Sequence, residues 1–569
     1  MPASPPAERP SATAPALGDA ASALTRLNQA AQAAGAGLEG ALAALEREDF
    51  GGAAAAAEAA VGRRPDDGLA WYLLAIAREK LGQLMPSLEA YEQALARLPN
   101  HADVANDLGR LACRLGMPEV AAPLFAFNLA ARPGSREATV NLAGALRDQH
   151  RYVEAIDLLK PAVQAAPEDP ALWNALGEVL SQQGEPSTAL AFFEESLRLD
   201  PGFNAARLNR STARLDLGDA PGAVADCEAA LAKASSPADV AAIGYSHALA
   251  LLCAGRVAEG WAAYAARLSP DFAGSPRFDI NAPRWRPGEP LAGRALLAVA
   301  EQGLGDEMMF AGVLPDVLDA LGPDGSLALA VEPRLVSLFR RSFPQAFVVA
   351  HTTDRTEAHP RRGVRLHEGA RIDAWAPMGD LLSAFRSRLS AFPQRTSYLA
   401  PDPERVVHWR AWLASLPPGP RVGIVWKSLQ LGAERRRAFA PFRAWAPVLA
   451  TPGGQFVSLQ YGDASAEIAE AARAGVLIRT PPGLDLKDDL EGVAALAAAL
   501  DLTIGFANAT TQLAGALGAP LWLLTPPGSW TCLGTDRYPW HPQARVFHAP
   551  GFDWERAMGR VAEALGSLR

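Results

Sequence analysis

A period of 34 residues runs through the first half of this chain, and it constrains the fold more tightly than any other feature. The blocks GLAWYLLAIAREKLGQLMPSLEAYEQALARLPNH (68–101) and PALWNALGEVLSQQGEPSTALAFFEESLRLDPGF (170–203) align without a gap. Trp71 falls over Trp173, Leu74 over Leu176, Gly82 over Gly184, Tyr91 over Phe193 and Pro99 over Pro201. Between them, blocks 102–135 and 136–169 keep the frame through Leu108 and Leu142, Ala121 and Ala155, Phe125 and Leu159, and Pro133 and Pro167. Block 204–237 keeps it more loosely. Self-similarity at such a spacing belongs to arrays in which each unit packs on its neighbours. Position 8 is small (Ala75, Gly109, Ala143, Gly177), as is position 20 (Ser87, Ala121, Ala155, Ala189), so two antiparallel helices can approach closely. Large residues at positions 4, 7 and 24 fill the space between them, and the proline at position 32 punctuates the next unit.

The pattern resembles the tetratricopeptide repeat. One degenerate unit precedes the aligned blocks and ends at Pro65, and another follows, with Gly255 three residues out of register and Trp261 and Tyr264 on its second helix. About seven units result at the family's period, over residues 34–270, and the resemblance implies a superhelix with a concave face. Such solenoids bind an extended peptide or another protein along that face. The residues name no ligand, and a purely spacing role is the alternative.

A chain of 569 residues exceeds one ordinary core, so further domains are required. The formal charge of −9 argues against generic nucleic-acid binding, which rests on a basic excess. No apolar run reaches the roughly 18–20 residues that span a bilayer, so no membrane span is expected. Residues 1–33, opening MPASPPAERPSATAPALGDA, lack the basic and apolar regions of a secretory signal. They read as a disordered leader with room for a first helix, and a cytoplasmic protein is expected. Cys113, Cys227, Cys253 and Cys532 have no CxxC or Cys/His ligand spacing, so reduced buried thiols and no metal site are expected.

Past the repeats the composition shifts. Residues 271–292 are rich in Pro and Gly without helical period and read as a linker. Then ALLAVA (295–300), SLALAVE (326–332) and AFVVA (346–350) are apolar runs of strand length separated by helical patterns. A second series follows: RVGIVW (421–426), QFVSLQ (455–460), GVLIRT (475–480), LDLTIGF (500–506) and APLWLLT (519–525). Short apolar runs alternating with helices predict parallel sheets buried on both faces. The reading is two Rossmann-like halves, 293–400 and 401–569, with ligands expected where the carboxyl ends of the strands meet a cleft. The whole is α plus α/β, an α-solenoid followed by the twin-Rossmann layout of many nucleotide-sugar transferases, called GT-B.

Three stretches carry candidate chemistry. In EQGLGD, Gly303 and Gly305 allow a tight strand-to-helix turn with close backbone approach, and Asp306 falls at or just before the next helix. A helix cap would satisfy Asp306 as well as a catalytic role. In VWKSLQLGAERRRAFAPF, Lys427 ends a strand, and Arg435, Arg436 and Arg437 lie in the loop beyond. Fixed cations at a cleft mouth stabilise a departing phosphate without a metal, whereas a run of three is commonly a solvated loop. In GFANATTQLAGALG, Asn508 can cap a helix beginning near Ala509 and leave amides to meet an anion, with Thr510 and Thr511 adding hydroxyls. An ordinary capped helix satisfies the same residues.

EQGLGD after a strand, VGIVWK opening the second half and QLAGALGAPLWLL near the end together resemble bacterial tetratricopeptide-repeat glycosyltransferases related to the heptosyltransferases, and more distantly protein O-GlcNAc transferase. The resemblance covers nearly everything from residue 34 and implies that Asp306 is a general base toward an acceptor hydroxyl. It implies donor contacts from Gly303, Gly305, Lys427, Arg435, Arg437, Asn508, Ala509, Thr510 and Thr511. The commoner pattern of that family has Ser-Val-Asp-Thr at the late turn and a histidine four residues on. Here Ala507 replaces the aspartate, Asn508 the threonine and Gln512 the histidine, implying a different donor or a lost activity.

WKSL, LQYGD and LGTDRYPWHPQARVF look most like the members linked to flagellin glycosylation. That resemblance implies a nonulosonic-acid donor, such as CMP-pseudaminic acid, and Ser or Thr hydroxyls of flagellin held by the repeats. No cofactor is expected beyond the nucleotide-sugar substrate. Trp530, Tyr538, Trp540 and His541 are expected near the cleft, to stack a base or sugar or simply to pack. DWERAMGRVAEALGSL reads as an amphipathic terminal helix. Two rival readings remain: a non-catalytic repeat scaffold with a degenerate transferase domain, and a heptosyl- or hexosyltransferase acting on a glycolipid.

Overall fold

The structure is a computed structural model that describes residues 38–568, apart from 273, 355–358, 368 and 429–436. The expected leader, Arg435 and Arg436 therefore lie outside the described residues. Two compact units result, one ending at Arg210 and one running from Ser211 to Asp354 and from His359 onward. The division falls within the Asn204–Asp216 helix.

The first unit is made of helical hairpins. Glu39–Glu46 pairs with Phe50–Arg63, Gly68–Lys80 with Leu84–Arg97, Ala102–Arg114 with Pro118–Ala131, Arg136–Asp148 with Tyr152–Ala165, and Pro170–Gln183 with Pro186–Leu199. Three of the first helices start at acidic or hydroxyl caps: Asp67 accepts from Leu69 and Ala70, Ser135 from Ala138, and Asp169 from Ala171. The small eighth position has a direct steric cause. A Cβ on Gly109 would stand 2.7 Å from the Phe125 ring, and one on Gly177 would stand 2.6 Å from the Phe193 ring. Large position 24 thus occupies the space that position 8 vacates, one hairpin at a time.

The second unit begins with the remaining helices, Ala220–Leu231, Pro237–Cys253 and Val257–Ala263, the last continuing as a tight turn, Tyr264–Leu268. Two six-stranded sheets follow. The first contains β1 (Arg277–Asp279), β2 (Ala295–Val299), β3 (Ser326–Val331), β4 (Ala346–Asp354), β5 (Arg361–Val364) and β6 (Ala374–Pro377), in the order β1-β5-β4-β3-β2-β6. Only β4 and β5 pair antiparallel within it. The second contains β7 (Arg421–Val425), β8 (Gln455–Ser458), β9 (Ile478–Arg479), β10 (Leu502–Phe506), β11 (Leu521–Thr525) and β12 (Arg545–His548), all parallel, in the order β12-β11-β10-β7-β8-β9. β2, β10 and β11 are buried at every residue, as continuous apolar runs between two helical layers require.

Both sheets reverse direction next to their first long strand. From β2 the chain adds β3 and β4 on one side and later β6 on the other; from β7 it adds β8 and β9 on one side and β10 on the other. These reversals leave crevices at the carboxyl ends of β2 and of the β7/β10 pair.

The largest apolar cluster links the parts of the unit, taking in Tyr245 and Trp261 from the helices, Leu296 and Phe310 from the first sheet layer, and Val493, Leu513 and Trp540 from the second, while a separate cluster around Ile424, Trp445, Phe506 and Trp554 packs the second sheet. Arg341 clamps Glu491 at 2.9 Å and Arg334 clamps Asp488 at 3.0 Å across the two halves. The 528–534 loop meets the helical loops backbone to backbone. A Cβ on Gly528 would stand 2.7 Å from Leu215 O, and one on Gly534 would stand 2.6 Å from Gly255 N.

Candidate functional site

β2 delivers the EQGLGD turn to the first crevice. The helix it feeds is Leu304–Phe310, with Gly303 as its N-cap in extended backbone, so Asp306 stands inside the first turn rather than capping it. Asp306 is half-buried. Of the two glycines, Gly305 has the stricter demand: a Cβ there would lie 3.3 Å from Ala509 N and 3.5 Å from Ala509 Cα. The turn after β2 therefore touches the start of the helix after β10.

That second helix is Ala509–Ala516, and its N-terminus is a complete capping box. Asn508 Oδ1 accepts from Thr511 N at 3.1 Å, and Asn508 N donates to Thr511 Oγ1 at 2.9 Å. Thr511 Oγ1 also donates to Phe506 O at 2.6 Å, and Thr510 is buried as well. The Thr511 hydroxyl, expected to face a ligand, is thus spent on the helix start. The amides of Ala509 and Thr510, first in the helix, are the donors that the capping box leaves over.

Lys427 emerges beside this turn, because β7 and β10 pair in register through Val425 and Gly505, two residues before Lys427 and Ala507. Its Nζ is ion-paired with Glu467, so any phosphate there competes with a carboxylate. Arg437 turns elsewhere: it pairs with Asp216 at 2.7 Å and lies 5.1 Å from the Phe552 ring centroid. Gly303, Gly305, Asp306, Asn508 and Ala509 thus gather where the two turns meet, Lys427 leaves its strand alongside with Nζ paired to Glu467, and Arg437 is tied to Asp216.

The aromatic loop packs. Tyr538, Trp540 and His541 are buried, and Trp540 lies edge-on to Trp261 and Phe392. Gln512 is buried with them: its Nε2 donates to Tyr538 Oη at 2.5 Å and its Oε1 meets His541 Nε2 at 2.8 Å. With the amide so oriented, His541 carries its proton on Nε2, and its buried Nδ1 has no partner among the described residues. Desolvation pushes this imidazole down to about 3. Gln512 is therefore a core bracket. Burial pushes the Cys532 thiol up to about 11 and the Cys113 thiol up to about 12, which keeps both protonated. Among the described residues no group of His, Cys, Asp and Glu could hold a metal ion. No described helix is long and apolar enough to cross a membrane.

Comparison with known proteins begins in the helical half, where tetratricopeptide-repeat profiles match residues 38–102, 135–202 and 174–240. Tetratricopeptide repeat protein 21A of Mus musculus is 30% identical over 124 residues, 21% of this chain and 9% of that protein. Among solved structures, the type IV pilus biogenesis factor PilW matches at 24% identity over 34% of this chain and 89% of its own, with a TM-score of 0.30. Protein FlbA of Caulobacter vibrioides is 51% identical over 566 residues, 98% of this chain and 95% of its own. The chain belongs to the FlbA family. Because the match to FlbA runs nearly end to end, the twin sheets belong to the shared protein as much as the repeats do.

Sequence reasoning missed an ionic group beside the first crevice of this FlbA-family chain. Arg267, Glu301, Asp380 and Arg284 form a chain of ion pairs at 2.8, 2.9 and 2.6 Å, with Arg267 and Glu301 buried. The available signal was Glu301 itself, a carboxylate directly after a wholly apolar strand.

Proposed function

We propose that this FlbA-family protein is a cytoplasmic protein glycosyltransferase. Its repeats hold a protein acceptor, and its twin-sheet unit, read as GT-B, moves a sugar from a nucleotide-sugar donor to Ser or Thr hydroxyls without a metal. The observation carrying this reading is the convergence of the two switch-point turns, with Gly305 against Ala509, Asp306 in one first turn and Lys427 beside the other. Strand ends at switch points are where α/β sheets bind ligands. Asp306 takes the proton from the acceptor hydroxyl as its oxygen bonds to the anomeric carbon and the bond to the donor phosphate breaks. Lys427 and the leading amides of the Ala509–Ala516 helix meet the charge that builds on the leaving phosphate. The resemblance to flagellin-modifying transferases supports flagellin as acceptor and a CMP-linked nonulosonic acid as donor.

The scaffold reading has its own observation: Lys427 is occupied by Glu467, and Gln512 is committed to the core. Intact-mass spectrometry of flagellin from cells carrying wild type, Asp306→Ala or Lys427→Ala decides between them. Loss of a regular mass increment in both variants, with the proteins folded and still binding flagellin, supports transfer at this site. An unchanged increment in the variants rejects the site, and no increment with wild type favours a scaffold or another acceptor.

A further inference from the structure

We infer that Arg267, at the end of the last helical hairpin, is a positioning residue for the 301–306 turn. Its consequence for catalysis rests on the reading of Asp306 given above. By sequence Arg267 is an unremarked cation in AARLSP; in the fold its guanidinium is buried. Nη2 donates to Glu301 Oε1 at 2.8 Å and to Asp380 Oδ1 at 2.9 Å, Nη1 donates to Tyr264 O at 3.1 Å, and the guanidinium stacks 4.5 Å from the Tyr264 ring centroid. Glu301 also accepts from Gly379 N at 3.1 Å, and its carbonyl accepts from Arg362 at 3.3 Å. Side chain and main chain of Glu301 are thus both held, two residues ahead of the Gly303 cap and five ahead of Asp306.

A repeat hairpin has no need of such a group in order to pack, since buried ion pairs are commonly no more stabilising than apolar residues of the same volume. What the pair supplies is direction. Gly379 is confined to glycine by it: a Cβ there would stand 2.5 Å from Glu301 Oε1 and 2.6 Å from Arg267 Nη2. Two guanidinium groups, Arg267 and Arg284, balance two carboxylates, Glu301 and Asp380, so the chain of pairs is complete only with Arg267 present. Tyr264, which Arg267 covers, is itself buried. Burial raises its phenol most, then Tyr245, with Asp306 among the further groups that raise it and Arg267 opposing them. The last hairpin therefore reaches the turn that carries the candidate base through Glu301.

The test uses full-length protein as wild type, Arg267→Met, Arg267→Lys and Glu301→Gln. Hydrogen exchange is followed on peptides covering 297–310 and, as control, 455–479, alongside transfer kinetics. Positioning predicts about ten-fold faster exchange confined to 301–306 in Arg267→Met and Glu301→Gln, with partial recovery in Arg267→Lys. It also predicts kcat lower by about ten- to hundred-fold at unchanged donor KM. Unchanged exchange at 301–306, or a uniform loss of protection reaching the control peptide in both Arg267→Met and Glu301→Gln, overturns the inference. If wild type transfers no sugar, the exchange result still decides the positioning, and it is the transferase reading that falls.

Discussion

Acidification tests the buried bracket beneath the second helix. His541 is 1% exposed, donates through Nε2 to Gln512, and has no described acceptor for a second proton at Nδ1. Its folded value near 3, against an ordinary 6.5, means that below pH 6.5 the unfolded chain takes a proton that the folded chain refuses. The stability tied to this group is therefore complete above the unfolded value and is lost as pH falls toward the folded one. At about 1.36 kcal/mol per unit, the full gap corresponds to about 4–5 kcal/mol, of which about 2 kcal/mol is lost by pH 5. His541→Gln keeps a polar group toward Gln512 and cannot ionise. Urea unfolding of both proteins from pH 8 to pH 5 should give a curve for wild type that falls more steeply, by about 2 kcal/mol at the acid end. His247, also lowered chiefly by burial, titrates in both proteins and cancels in the comparison. Parallel curves, or a wild type that gains stability on acidification relative to the variant, would refute the reasoning.

Other substitutions separate packing from chemistry. Gly305→Val must force apart two helix starts whose backbones already meet at 3.3 Å from the missing Cβ. It should cost about 1–3 kcal/mol, read as a lower urea midpoint. Arg437→Met leaves Asp216, itself buried, without the guanidinium at 2.7 Å and should cost about 3–5 kcal/mol in the same assay. Donor affinity, measured calorimetrically under folding conditions, should stay near wild type, because Arg437 faces Asp216. Tyr538→Phe removes the hydroxyl that Gln512 donates to at 2.5 Å and should lower stability by about 1–3 kcal/mol, with a further loss when combined with Gln512→Leu, which also takes the acceptor from His541 Nε2.

The repeats were legible because their signal is steric and periodic: a vacated position 8 under a ring at position 24 leaves its mark every 34 residues, as Gly109 under Phe125 and Gly177 under Phe193 do. Strands β2, β3, β7, β10 and β11 were legible as apolar runs buried on both faces. β1, β5 and β12 were not, since Arg277–Asp279, Arg361–Val364 and Arg545–His548 are partly exposed and carry no such run, and β6, though buried, is only the four residues Ala374–Pro377. Within the site, the capping potential of Asn508 could be read from the helix-start pattern. The direction of Arg437, the burial of Tyr538 and His541, and the Arg267–Glu301 pair could not, because each depends on a partner more than 25 residues away in sequence.

The glycine contacts at Gly528 and Gly534 bear on how such a chain can be re-engineered. Where backbone rests on backbone, as Gly528 does near Leu215 O and Gly534 near Gly255 N, no side chain remains to be trimmed or enlarged to accommodate a foreign loop. A graft that exchanges the recognition array for another must therefore be spliced ahead of Leu215 and retain every helix after it. Chimaeras cut at the end of the repeat pattern, near residue 270, would discard half of a surface that the carboxyl-terminal loop is shaped to fit.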